Sequence, residues 1–154
     1  MNGSFAADNH SSIPLAADLR QDAIEAQREG KPVLVLFTMP GCSYCHVIRQ
    51  NYLVPLLKAA DRNDRPIIRE VDLTSLQSLI WLDGERMTHK AFSISHRIRF
   101  APTVIFLNAQ GEQLAEPLVG GDTAGMYGAY FDNRLSAAAQ KMAVQKRTPL
   151  KEKQ

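Results

Sequence analysis

Residues 33–45 read VLVLFTMPGCSYC and carry the clearest structural signal in this 154-residue chain. The run 33–37 is unbroken and made of β-favouring apolar residues, which is typical of a strand covered on both faces in a parallel sheet. Residues 38–41 interrupt the strand, and Cys42 then begins a stretch with helical spacing that we expect to kink or end at Pro55. A buried strand therefore passes directly into a helix, with two cysteines at the junction.

The remaining elements follow from capping residues, apolar runs and turn signals. Asp18 and Gln21 resemble a capping box that opens a first helix, and Gly30 is a typical helix terminator. Residues 108–111 read NAQG, a hairpin turn, so the strands on either side of it should be antiparallel. We expect further strands at 66–71, 103–107 and 112–119, and further helices at 73–82, at 88–97 and after Asp122.

This order of elements predicts an α/β fold, because strand–helix–strand units favour parallel pairing. The expected architecture is a central mixed β-sheet flanked by helices, closed by a C-terminal antiparallel hairpin and helix. We assign residues 15–146 to one domain, preceded by a disordered N-terminal segment (1–14) and followed by a polar basic tail (147–154). Residues 1–14 lack the basic start and apolar stretch of a signal peptide.

Composition excludes several classes of function. The 18 basic and 16 acidic residues leave a net charge of +2, too small to indicate a nucleic-acid partner. No apolar run approaches the roughly 20 residues of a transmembrane helix. The chain contains only two cysteines, Cys42 and Cys45, which excludes a small disulfide-rich scaffold and points to a local chemical site.

The spacing of Cys42 and Cys45 predicts a thiol–disulfide centre. A cysteine at a helix start lies near unpaired backbone N–H groups and the positive end of the helix dipole, and both favour the thiolate. Cys45 lies one turn along and should face inward, where it can attack a mixed disulfide formed on Cys42. The neighbouring His46 is a candidate modulator of the Cys42 pKa.

Two other chemistries use the same residues. Cys42, Cys45 and His46 also satisfy the C-x-x-C-H pattern of covalent haem attachment. The second ligand of the iron would then be one of three methionines: Met87, Met126 or Met142. A zinc site would need His89 or His96 to complete the coordination of the two cysteines, without a second closely spaced pair.

Two separate stretches resemble the thioredoxin superfamily. Residues 33–45 resemble its active-site strand and C-x-x-C segment, and Ala101-Pro102-Thr103 resembles its cis-proline loop. The similarity in order of elements covers roughly 18–142 and implies a thioredoxin-like fold. Within the superfamily, the chain resembles the bacterial extracytoplasmic thiol–disulfide oxidoreductases, including those of sulfur-oxidation systems.

The resemblance implies roles for individual residues. Cys42 matches the attacking cysteine, Cys45 the resolving cysteine and Pro102 the cis-proline. Ala101 would offer backbone hydrogen bonds to an extended substrate segment, and Tyr44 is a candidate substrate contact. The chain also departs from ordinary thioredoxin, because its active-site tryptophans are absent and its buried proton-transferring acid aligns with Leu36.

The predicted activity is therefore dithiol–disulfide exchange with a disulfide-containing protein or a small thiol. Reductase is favoured over oxidase, since the chain has no room for the additional domains of the dedicated oxidases and isomerases. A separate electron donor is required because no third cysteine exists. We expect a monomer without metal or cofactor, in the periplasm or otherwise outside the cytoplasm, with the cytoplasm as the alternative. The competing functional class is a non-catalytic thioredoxin-fold binding module with an inert Cys42–Cys45 bridge.

Overall fold

The computed structural model describes residues 12–59, 61, 65–121 and 124–147. The first half contains α1 (Leu19–Glu29), β1 (Val33–Thr38), α2 (Ser43–Ile48), a π-helical turn (Arg49–Leu53), α3 (Val54–Lys58) and β2 (Ile67–Asp72). The second half contains β3 (Ser78–Ile80), β4 (Arg86–Thr88), α4 (His89–Ser95), β5 (Thr103–Leu107), β6 (Leu118–Val119) and α5 (Tyr127–Arg147). No helix among these residues is long and apolar enough to span a bilayer.

The central sheet is mixed, as predicted, with the strand order β2-β1-β5-β6. Strands β1 and β2 are parallel, with Val33 opposite Ile67, and β1 and β5 are antiparallel, with Phe37 opposite Thr103. All six residues of β1 are buried, because the strand lies inside the sheet and helices cover both faces. The loop that leads to the cysteine pair begins at the C-terminal end of this central strand.

Side chains alternate between the two faces of the sheet and form two separate apolar clusters. One cluster joins the sheet to α2, α3 and α5 and includes Leu34, Leu36, Ile48, Ile68, Phe106 and Phe131. The other joins the opposite face to α1 and α4 and includes Leu19, Val35, Phe37, Val71, Phe92 and Ile105. The predicted flanking helices are therefore present on both faces.

The prediction of a helix over 73–82 is wrong. The side chain of Asp72 accepts hydrogen bonds from the backbone N–H and the hydroxyl of Thr74, at 2.8 and 2.7 Å, and so forms a turn directly after β2. The chain then forms a β3–β4 hairpin, whose turn contains the predicted Asp83-Gly84 pair. The helix expected over 88–97 is confirmed as α4, with the hydroxyl of Thr88 as its N-cap.

The helical stretch after Cys42 does not end at Pro55. It passes through the π-helical turn, and Pro55 occupies the first turn of α3, where its missing N–H is not required. The expected strand over 112–119 is reduced to the two residues of β6 and an isolated bridge between Leu107 and Gln113. The predicted antiparallel pairing of β5 and β6 is confirmed.

The two ends of the chain also depart from expectation. Ile13 is buried, and the Glu70 N–H donates to the Pro14 carbonyl, so residues 12–14 pack against the domain and are not disordered. At the other end, α5 continues to Arg147, so the first residue of the range that we assigned to the tail is helical. The predicted cap Asp122 and residues 1–11 and 148–154 lie outside the described residues.

Candidate active site

Cys42 occupies the position that the sequence predicted, at the start of α2. It is the N-cap of the helix, and its sulfur accepts a hydrogen bond from the Cys45 N–H at 3.1 Å. The preceding Gly41 has φ +73°, a left-handed conformation that glycine adopts without the penalty of a Cβ. The loop 39–41 thus delivers Cys42 to the end of the helix where backbone N–H groups are unpaired.

Cys42 and Cys45 are joined by a disulfide, with an S–S distance of 2.15 Å and a Cα–Cα distance of 5.2 Å. Their environments differ. Cys42 is half-buried, whereas Cys45 is only 1% exposed and lies beneath it in the first turn of α2. One sulfur therefore reaches the surface and the other is enclosed, which is the asymmetry that stepwise thiol–disulfide exchange requires.

The Ala101–Pro102 loop lies at the same end of the sheet as the cysteines. The Ala101–Pro102 peptide bond is cis, the conformation that the resemblance implies. Because Thr103 pairs with Phe37, Pro102 lies at the level where β1 ends and the loop to Cys42 begins. Pro102 itself is buried and Ala101 is half-buried.

Tyr44 connects these two parts of the site. The Gly120 N–H donates to the Pro102 carbonyl at 2.8 Å, and the next residue, Gly121, lies directly against the Tyr44 ring. A Cβ at Gly121 would be 2.5 Å from Cδ1 of Tyr44, so only glycine permits this approach. The ring, half exposed at 50%, therefore lies between the cysteine pair and the segment bound to Pro102.

An ion pair beside the disulfide is the feature that sequence reasoning missed. Arg49 Nε donates to Glu70 Oε1 at 2.8 Å, and the Thr38 hydroxyl donates to Glu70 Oε2 at 3.3 Å. The side chains of Arg49 and Glu70 are only 20% and 14% exposed. Together with both cysteines they line an open depression of about 430 Å³. The available signal was the charged pair Arg69-Glu70 within the predicted strand 66–71.

The histidines of the alternative readings do not join the cysteines. His46 is exposed on α2, while His89 is fully buried, with its ring nitrogens near the Ala16 carbonyl and the Asp72 N–H. His96 packs against Trp81 and Phe92, and burial lowers its pKa. In the described part of the chain, no group of three or more His, Cys, Asp or Glu residues is placed to hold a metal ion.

The sequence profile described as Thioredoxin-like domain matches residues 19–134. The chain belongs to this family. Its match spans every element from α1 into α5, including the cysteine pair and the Pro102 loop. Comparison with curated proteins finds no significant relative.

Solved structures show the same fold at low sequence identity. The protein titled DsbH Oxidoreductase is 14% identical, with a TM-score of 0.53 over 88% of this chain and 94% of that one. Oxidised thioredoxin O2 from Arabidopsis thaliana is 16% identical, with a TM-score of 0.52 over 82% and 97%. The oxidised C-terminal domain of DsbD from Neisseria meningitidis is 17% identical, with a TM-score of 0.51 over 78% and 98%.

Family membership and the disulfide together identify a thiol–disulfide oxidoreductase of the thioredoxin superfamily. The two cysteines of the C-x-x-C-H pattern lie in a thioredoxin-like domain and have the geometry of a disulfide.

Proposed function

We propose that this protein reduces disulfides in protein or small-thiol partners, with Cys42 as the attacking and Cys45 as the resolving cysteine. The observation that supports these roles is the asymmetry of the pair: Cys42 is the accessible N-cap of α2, and Cys45 is enclosed behind it. A helix start lowers the free energy of a thiolate relative to the thiol, so the accessible sulfur is also the one favoured as nucleophile.

The reaction proceeds in two exchanges. The Cys42 thiolate attacks one sulfur of the substrate disulfide, forms a mixed disulfide and releases the first substrate thiol. Cys45 then loses its proton and attacks the Cys42 sulfur, which closes the Cys42–Cys45 disulfide and releases the second thiol. Two electrons pass from the cysteine pair to the substrate, and a separate donor must return them because the chain has no third cysteine.

We assign substrate contact to the surface around the Ala101–Pro102 loop and Tyr44. The pairing of Thr103 with Phe37 places Ala101 near the end of the sheet from which the chain departs to Cys42, where its backbone can bond an extended substrate segment. Tyr44 adds an exposed aromatic face beside Gly121. His46 is exposed on the first turn of α2 and is our candidate modulator of Cys42.

The setting that fits this function is extracytoplasmic. The support is the resemblance of residues 33–45 and of the Pro102 loop to bacterial extracytoplasmic oxidoreductases. We also propose the reductase direction and a monomeric state. Fractionation of cells that express the full-length gene tests the location, and recovery in the cytoplasmic fraction alone would contradict it.

Insulin reduction with dithiothreitol tests the activity. The wild type should accelerate precipitation of the insulin B chain, whereas Cys42→Ser should abolish the acceleration because the nucleophile is lost. Ser43→Ala is the matched control, since Ser43 is exposed between the two cysteines and should retain activity. An inactive wild type would instead indicate the non-catalytic binding module.

The equilibrium potential in glutathione buffers tests the direction of electron flow. A potential below about −240 mV would support a reductant, and one above about −150 mV would indicate an oxidant. The pH dependence of Cys42 alkylation in the reduced protein provides a further check. A midpoint at or above that of a free cysteine would argue against an activated thiolate.

A further inference from the structure

Resolution of the mixed disulfide requires a proton acceptor near Cys45, and this requirement rests on the proposed function. The Cys45 side chain is only 1% exposed, so bulk water has little access to its sulfur. A thiol must become a thiolate before it attacks a disulfide. The groups that line the depression beside Cys45 are therefore the ones placed to receive the proton.

Two carboxylates line that depression, Glu70 and Asp72. Asp72 is committed to a turn, because one of its oxygens accepts both hydrogen bonds from Thr74. Each oxygen of Glu70 accepts one described hydrogen bond, from Arg49 or from Thr38. A carboxylate oxygen can accept two such bonds, so Glu70 retains capacity for a proton while its position is fixed.

The sheet directs Glu70 toward the cysteine helix. Glu70 is two residues after Ile68, and alternation along a strand puts both side chains on the same face. Ile68 packs in the cluster that contains Ile48 of α2, and Arg49, the next residue, bonds Glu70 directly. Glu70 is also the register partner of Leu36 on the parallel strand β1. Glu70 is therefore next to Leu36 on the face of the sheet that α2 covers.

We propose that Glu70 accepts the Cys45 proton during resolution, and that Arg49 and Thr38 position its carboxylate. Cys45 attacks the Cys42 sulfur of the mixed disulfide, its proton passes across the depression to Glu70, and the substrate leaves as a thiolate. The neutral Glu70 then returns the proton to the departing thiolate or to solvent. The charged and titratable groups that face Glu70 in the depression are Arg49, Asp72, Cys42 and Cys45.

A stopped-flow reaction isolates this step. The reduced protein is mixed with one equivalent of the symmetrical disulfide of nitrothiobenzoate, which yields one coloured thiolate for each attack. The first phase reports the attack by Cys42 and the second reports resolution by Cys45. Both phases are measured between about pH 5.5 and pH 9.5 for the wild type, Glu70→Gln and the matched control Asp72→Asn, which neutralises the other carboxylate of the depression.

Glu70→Gln should slow the second phase about a hundredfold or more near neutral pH, the low end of general-base effects, and leave the first phase within about twofold. The difference should narrow at the alkaline end of this range, where hydroxide increasingly takes the proton. Asp72→Asn should keep both phases within about twofold of the wild type. A second phase of Glu70→Gln that matches the wild type near neutral pH, or equal slowing in Asp72→Asn, would overturn the proposal.

The wild type alone supplies an independent test if the Glu70 variant does not fold. With Glu70 as acceptor, the second phase should be nearly flat between about pH 6 and pH 8, because a fixed side chain and not hydroxide takes the proton. A rise of about tenfold per pH unit over that range would refute the role of Glu70, since it indicates unassisted ionisation of Cys45. A wild type that releases no coloured thiolate at all would refute the proposed function instead.

Discussion

Replacing Gly121 with alanine should force apart two segments of the active site. The new Cβ would lie 2.5 Å from Cδ1, 2.7 Å from Cγ and 2.9 Å from Cβ of Tyr44. Ordinary carbon–carbon contacts are about 3.5–4.0 Å, so roughly 1 Å of displacement is needed. Rotation of the ring moves Cδ1, but Cβ of Tyr44 is fixed to the first turn of α2. The backbone on one side of the contact must therefore shift.

The expected cost of Gly121→Ala is about 1–3 kcal/mol in the free energy of unfolding, which is typical of overpacked positions. Gly121 does not have a left-handed φ, so the cost comes from the contact with Tyr44 and not from the backbone conformation. Insulin reduction should also slow, since Tyr44 lies between Cys42 and Cys45 and a displaced helix start changes the position of both sulfurs.

Urea denaturation of the oxidised protein measures this cost. Gly128→Ala is the control, because its new Cβ would lie 3.4 Å from the nearest atom, Cε1 of Tyr52, in ordinary contact. It should be neutral or stabilise the protein by up to about 1 kcal/mol. Adding Tyr44→Ala to Gly121→Ala should recover part of the loss, because it removes two of the three short contacts. Equal stability of Gly121→Ala and wild type would refute this reasoning.

Three further predictions concern the core and the cysteine pair. Phe92→Ala should cost about 3–5 kcal/mol in urea denaturation, because the ring is fully buried, whereas its exposed neighbour Ile94→Ala should cost little. Burial lowers the pKa of His96, so the stability that its neutral form contributes is lost as pH falls below about 6.5. The free energy of unfolding of the wild type should therefore fall more between pH 7.5 and pH 5 than that of His96→Gln. Equal losses in the two proteins would contradict this. Cys45→Ser should accumulate a mixed disulfide with substrate that mass spectrometry detects, and Cys42→Ser should not.

The sequence predicted the centre of this fold well because local signals there agree. The buried run of β1, the interruption before the cysteines and the cysteine at a helix start each belong to short-range patterns, and the structure has all three, with the interruption at 39–41 since Thr38 still belongs to β1. Apolar spacing over 73–82 was misleading. A single side chain, Asp72, bonds Thr74 and redirects the chain into a hairpin, and periodicity does not reveal such a bond.

The Arg49–Glu70 pair was beyond the reach of sequence patterns for a different reason. The two residues are 21 positions apart, and their contact depends on the parallel register of β1 and β2 and on the π-helical turn that contains Arg49. Neither register nor a π-helical turn leaves a clear mark on one sequence. The sequence alone therefore does not indicate that Glu70, the proposed proton acceptor, lies beside the cysteine pair.

The contact between residues 14–16 and Glu70 also bears on the tendency of this protein to aggregate. Strand β2 lies at one edge of the sheet. On that edge the Glu70 N–H donates to the Pro14 carbonyl, and the Ala16 N–H donates to the Glu70 carbonyl. The opposite side ends in β6, which has only two residues. Uncovered edge strands pair readily with strands of neighbouring chains. Here residues 14–16 cover one edge strand, and the other edge strand is short. Loss of residues 12–16 would open a long margin and promote aggregation.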